Sequence, residues 1–101
     1  VQDSTAATTG GAVLNLHVLA NTRDAGVTVK VQHSADSTDG TDGTWADLAT
    51  FAAVGAGTLT SETAEIARGT TVNKWLRAVS TVSAGTGSIT YVVSAARLGS
   101  A

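Results

Sequence analysis

Val27-Thr-Val-Lys-Val-Gln-His-Ser34 alternates without a break: Val27, Val29, Val31 and His33 fall on one side, and Thr28, Lys30, Gln32 and Ser34 on the other. A strict period of two marks an extended strand with one face buried and one wet, as in antiparallel sheets. Upstream, residues 12–20 alternate in the same way, with Leu14, Leu16 and Val18 set against Asn15 and His17. Between the two runs, Asn21-Thr-Arg-Asp-Ala-Gly26 has turn composition, and the pair reads as a long hairpin. Downstream, residues 36–43 form a loop on a doubled Thr-Asp-Gly, since Asp-Gly pairs are strong turn signals. In 44–54, Trp45, Leu48 and Phe51 recur every third residue, a spacing that fits a helical turn or a bulged strand.

The remaining chain adds weaker strands of the same kind. Residues 59–67 read as a strand near a sheet edge, with Glu62 and Glu65 outward. In 71–83, Trp75, Arg77 and Val79 alternate with Leu76, Ala78 and Val82. After Ala84-Gly-Thr-Gly87, a last run puts Ile89, Tyr91, Val93 and Ala95 on one side, which makes 71–98 a second long hairpin. Short strands punctuated every ~8–12 residues predict an all-β fold, an antiparallel β-sandwich of about 6–8 strands, immunoglobulin-like or jelly-roll-like. Residues 1–11 read as an N-terminal lead-in or inter-domain junction, and residues 12–101 as a single sandwich domain.

Composition agrees with this and limits the chemistry. The 101 residues include 18 Ala, 17 Thr and 12 Val, and β-branched side chains are stiff in helices but pack well on sheets. With 14% charged residues, a net charge of −2 and six scattered basic residues, the chain lacks the basic footprint of nucleic-acid binding. The absence of Cys removes disulfides and thiolate metal sites. No run approaches the ~20 apolar residues of a membrane-spanning helix. The chain also lacks Met, even at position 1, and so reads as processed or as a domain cut from something longer. A core built largely of Val and Ala is light, so the two Trp residues are expected to anchor it with Leu48, Phe51 and Tyr91.

Few residues could carry chemistry. Asp36, Asp39 and Asp42 share one Gly-containing loop, which makes it the candidate site for a hard cation such as calcium. Their spacing of three departs from the alternate-residue calcium loop and no bidentate Glu follows, so a solvated hairpin loop is the favoured reading and no cofactor is expected. His17 and His33 lack the strained elbow around a Ser that a nucleophilic triad would need. His33, ending an apolar face, reads as a packed or hydrogen-bonded histidine. Glu62 and Glu65, three apart on a strand, point to opposite sides and cannot flank one glycosidic bond. Trp45, Trp75 and Tyr91 could form a sugar-stacking platform, but a light core has first claim on its large rings. No enzymatic activity is expected.

Three segments carry a resemblance: Val27-Thr-Val-Lys-Val-Gln-His-Ser-Ala-Asp36, Thr44-Trp-Ala-Asp-Leu-Ala-Thr-Phe51 and Gly69-Thr-Thr-Val-Asn-Lys-Trp-Leu-Arg-Ala78. They resemble a recurrent β-sandwich domain of tailed-bacteriophage virion proteins, found as the C-terminal half of major tail (tail-tube) proteins and as small capsid decoration proteins. Thr86-Gly-Ser-Ile-Thr-Tyr-Val-Val-Ser-Ala-Ala-Arg97 is similar to that group's last strand, and Thr5-Ala-Ala-Thr-Thr-Gly-Gly-Ala12 to the junction leading into it. The 38–43 loop is longer than usual for the group, and Trp75 stands where Tyr is more typical. The resemblance implies a non-catalytic structural module in the virion, assembled in the host bacterial cytoplasm, with copies of itself and other virion proteins as partners. It also implies that the chain is the C-terminal domain of a longer tail protein. The rival from another class is a carbohydrate-binding module that holds a host-surface glycan through Trp45, Trp75 and Tyr91.

Overall fold

The computed structural model describes residues 1–98, so the last three positions of the expected 12–101 domain lie outside the described residues. Six strands follow in order: β1 (Ala12–Asn21), β2 (Val27–Ser34), β3 (Ala46–Thr50), β4 (Ser61–Ile66), β5 (Trp75–Val82) and β6 (Ile89–Arg97). They form two three-stranded antiparallel sheets, β4-β1-β6 and β3-β2-β5, so the fold is an all-β sandwich. The spacing of Trp45, Leu48 and Phe51 resolves into the bulged strand: the β2–β3 register shifts between Val31 and Gln32.

Both long hairpins expected from the sequence are corrected. β1 and β2 lie in different sheets, as do β5 and β6, and among the consecutive strands β2 and β3 pair. The 22–26 and 83–88 connections are arches from one layer to the other. Each β1 residue facing the core has its neighbours across the gap as well as beside it, so alternation is satisfied by either connection.

The core is formed by Leu14, Leu16 and Val18 of β1, Val27, Val29 and Val31 of β2, and Phe51, Val54, Val72 and Leu76. Leu48, Ile89, Tyr91 and Val93 pack against it, half-buried. Trp45 and Trp75 do not belong to it, which corrects the expectation that they anchor it. The alternation of β5 sends Leu76 inward opposite His33, and therefore turns Trp75 and Arg77 outward.

Three polar ties close the sandwich. At one end the buried Arg23 guanidinium donates to the Ser83 carbonyl at 2.6 Å and lies 3.5 Å from the Gly85 and Gly87 carbonyls, fastening the two arches together. The arches are also paired directly, Thr22 and Asp24 donating their N–H groups to the Ser88 and Thr86 carbonyls. Gly87 is required there: its φ is +97° and a Cβ would fall 2.2 Å from the Thr22 carbonyl oxygen.

At the other end Arg97 binds the Asp3 carboxylate at 2.8 Å and the carbonyls of Val72 and Asn73. Residues 1–8 run antiparallel to 72–76, with Val1 and Leu76 exchanging two backbone hydrogen bonds. Along one side, Glu62 is not outward as expected. It shares the inward side of its partner Leu16, and both carboxylate oxygens accept the Ala52 N–H at 3.1 Å. Glu62 thereby bridges the edge of one sheet to the chain following β3, while Glu65 stays exposed.

Candidate functional site

The 36–43 loop leaves β2 and re-enters at Trp45, held by its own side chains. Asp36 Oδ1 accepts from the Ser34 hydroxyl at 2.9 Å and from the Thr44 N–H at 2.8 Å. Asp39 Oδ1 accepts from the N–H groups of Thr41 and Asp42 and from the Thr41 hydroxyl. Asp42 accepts from the Ser37 and Thr38 hydroxyls and from the Thr38 and Asp39 N–H groups. These donors, led by Thr44 for Asp36, Thr41 for Asp39 and Thr38 for Asp42, hold all three carboxyls below the ordinary carboxylate value of 3.8. The carboxylates are thus engaged mainly by loop donors, Asp36 on the Ser34 and Thr44 side, while the carboxyls of Asp39 and Asp42 also lie beside each other. Among the described residues no three His, Cys, Asp or Glu side chains gather in a cation-holding group.

The loop delivers Trp45 to the outer face of the β3-β2-β5 sheet. Trp45 Nε1 donates to the Asp42 carbonyl at 2.8 Å, and the Arg77 guanidinium stacks 4.2 Å from the centre of the indole. From there a hydrogen-bonded strip crosses the sheet. Arg77 Nε donates to Gln32 Oε1 at 2.8 Å, Gln32 Nε2 donates to Asp47 at 2.9 Å, and Lys30 pairs with Asp47 at 3.1 Å. Gln32 and then Lys30 lower the Asp47 pKa. Trp75, on the same face, lies against Gly40 of the loop. Tyr91 belongs to the other sheet and packs on the core, so the three rings form no common platform.

The remaining candidates are dispersed. Exposed His17 meets the Ser61 hydroxyl at 3.0 Å on the β1–β4 face. His33 is half-buried in the other sheet, where its Nδ1 accepts the Asn73 N–H at 3.1 Å. Burial, then the nearby Arg97 charge, pushes the His33 pKa below its ordinary 6.5. Arg23 and Arg97, turned inward as structural clamps, are not marked by any motif in the chain. Their nearest signals are the Gly-rich 84–87 turn, whose bare carbonyls need a donor, and the polar lead-in, whose Asp3 needs a cation.

Comparison with known proteins finds no matching family model, no matching curated protein and no matching solved structure. The geometry of this face is therefore what the structure offers toward function.

Proposed function

We propose that this chain is a structural module of a bacteriophage particle, a tail-tube protein or its outer domain, which assembles in many copies and has no turnover. The observation carrying this reading is spatial. The three segments that resemble virion domains, 27–36, 44–51 and 69–78, supply β2, β3 and the start of β5, so they are neighbours in one sheet with the loop between them. The polar groups beside them are spent on one another: the loop carboxylates on loop donors, Arg77 on Trp45 and Gln32, and Asp47 on Gln32 and Lys30. A face whose polar groups satisfy one another suits repeated packing between copies, where symmetry multiplies small contacts. Capsid decoration is the same role at a second location. Labelled antibody against this chain should bind along the tails of the particles that encode it; label on heads selects the decoration role, and unlabelled particles refute both.

The carbohydrate-binding alternative keeps one favourable observation, the half-buried Trp45 and Trp75 on one outer face. Against it, Arg77 already stacks on Trp45, and Tyr91 lies in the opposite sheet. A glycan array tests it directly, and binding lost in Trp75→Ala would revive it.

A further inference from the structure

The two edges of the β4-β1-β6 sheet are treated differently. β4 carries two Glu residues in six positions, the usual device that keeps an edge from pairing with another chain. β6 runs Ile89-Thr-Tyr-Val-Val-Ser-Ala-Ala-Arg97, with no Pro and no charge before Arg97, whose guanidinium is turned inward onto Asp3. Among the described residues, no strand other than β1 pairs with β6, so its second row of backbone donors and acceptors faces outward. Val92 on this strand is 48% exposed. Beside the same edge a largely apolar groove of about 400 Å³ opens between the sheets, lined by Val1, Val31, Leu76, Ala78, Val93 and Ala95, with Asp3 and Arg77 as its charged lining residues.

Unpaired backbone calls for a strand, and the side-chain sizes say which one. The inward side of β6 tapers from Ile89 and Tyr91 through Val93 to Ala95, and the groove lies at the small end. Antiparallel pairing of β6 with itself about Val93 sets bulky against small, with Tyr91 beside the other copy's Ala95 and Val92 beside its Ser94. No like charges meet across such a twofold. We propose that β6 is a docking edge for a second copy of this chain, the two β6 strands pairing antiparallel about Val93 so that each Tyr91 covers the other copy's groove.

The extent of the contact fixes its character. A nine-residue edge is about 30 Å long, and pairing two of them buries roughly 600–800 Å² in total, about half of a standard stable interface. The pair is therefore weak alone and becomes effective when other contacts hold many copies side by side. This deepens the proposed particle role by naming the partner and the surface, and it rests on that role for its biological setting.

Because the chain has no Cys, cross-linking tests the contact cleanly. At about 0.5 mM under mild oxidation, Val93→Cys is expected to form a disulfide dimer, while Thr63→Cys on the β4 edge stays monomeric. Adding Ala95→Lys to the first variant puts a long charged side chain where the other copy's Tyr91 docks and cuts the dimer yield more than about tenfold. Circular dichroism of that variant retains the sheet signal, because Ala95 is exposed in the monomer. Failure of Val93→Cys to cross-link, or equal cross-linking by Thr63→Cys, overturns the proposal. A cross-linking chain that is missing from particles would defeat the particle role and leave this contact standing; a particle-borne chain that fails to cross-link would do the reverse.

Discussion

Arg97 Nε donates to the Asp3 carboxylate at 2.8 Å, joining the last strand to the first residues of the chain. The Arg97 side chain is 9% exposed and Asp3 29%, and the same guanidinium also holds the Val72 and Asn73 carbonyls. The two partners are therefore unequal. Arg97→Ala should cost about 2 kcal/mol, because it strips charged donors from the part-buried Val72 and Asn73 carbonyls and leaves Asp3 without its cation. Asp3→Asn should cost less than about 1 kcal/mol, as for most partly exposed pairs. Urea titration measures both, and faster amide exchange of residues 1–8 in Arg97→Ala would locate the loss.

His33 sets a pH dependence at the same end. The folded chain resists its protonation, holding the pKa below 6.5, whereas the unfolded chain takes up the proton at about the ordinary value. Unfolding thus binds protons in that window. Stability should be full above pH 6.5, fall as the pH drops through 6.5, and level off below the folded value. His33→Gln keeps a side-chain acceptor for Asn73 and should flatten this segment of the curve. A second decline belongs to Asp24, Asp36, Asp39, Asp42 and Asp47, all held below 3.8: their stabilisation is present above 3.8 and disappears as the pH falls through their folded values. Denaturation midpoints measured from about pH 8 to pH 2 separate the two declines.

The 36–43 loop is organised by its own donors, so calcium at millimolar concentration should leave the melting temperature unchanged. Asp42→Ala should instead free the Ser37, Thr38 and Asp39 donors and raise amide exchange across the loop, with the sandwich intact. A calcium-dependent rise in melting temperature would show that the carboxylates gather around a cation.

Two glycines with left-handed backbones separate strain from collision. Gly57 has φ +67° and open space where a Cβ would stand, so Gly57→Ala should cost about 1 kcal/mol from backbone strain alone. Gly87→Ala carries similar strain and drives a methyl into the Thr22 carbonyl, so its loss should be at least twice as large. Equal melting temperatures for the two variants would contradict the tight stacking of the arches.

Much of the sandwich was legible from alternation. Val27, Val29, Val31, Leu14, Leu16 and Val18 all face inward as their spacing implied, and Ile89, Tyr91 and Val93 pack on the same core. The assignment of strands to sheets was not legible. Alternation reports which side faces the core, and strands of both layers face the same one, so the 22–26 and 83–88 arches looked like hairpin turns. The outward placement of the Trp residues escapes the sequence for a related reason. The phase of β5 is set by the smaller Leu76 fitting between the sheets opposite His33, and size alone assigned that place to Trp75. The inward turn of Glu62 is not legible either, because a carboxylate at a sheet edge turns inward wherever an unpaired N–H, here that of Ala52, waits across the gap. At the candidate site, three Asp residues in one loop were visible, but their separate donor sets depend on backbone turns that residue spacing does not encode.

The most direct test of the particle role is electron microscopy of the intact particle formed by the protein that carries this chain. A six-stranded sandwich should repeat at every subunit of the tail exterior, or of the head in the decoration role, with neighbouring copies meeting along sheet edges. Purified particles that contain no such sandwich would contradict that role.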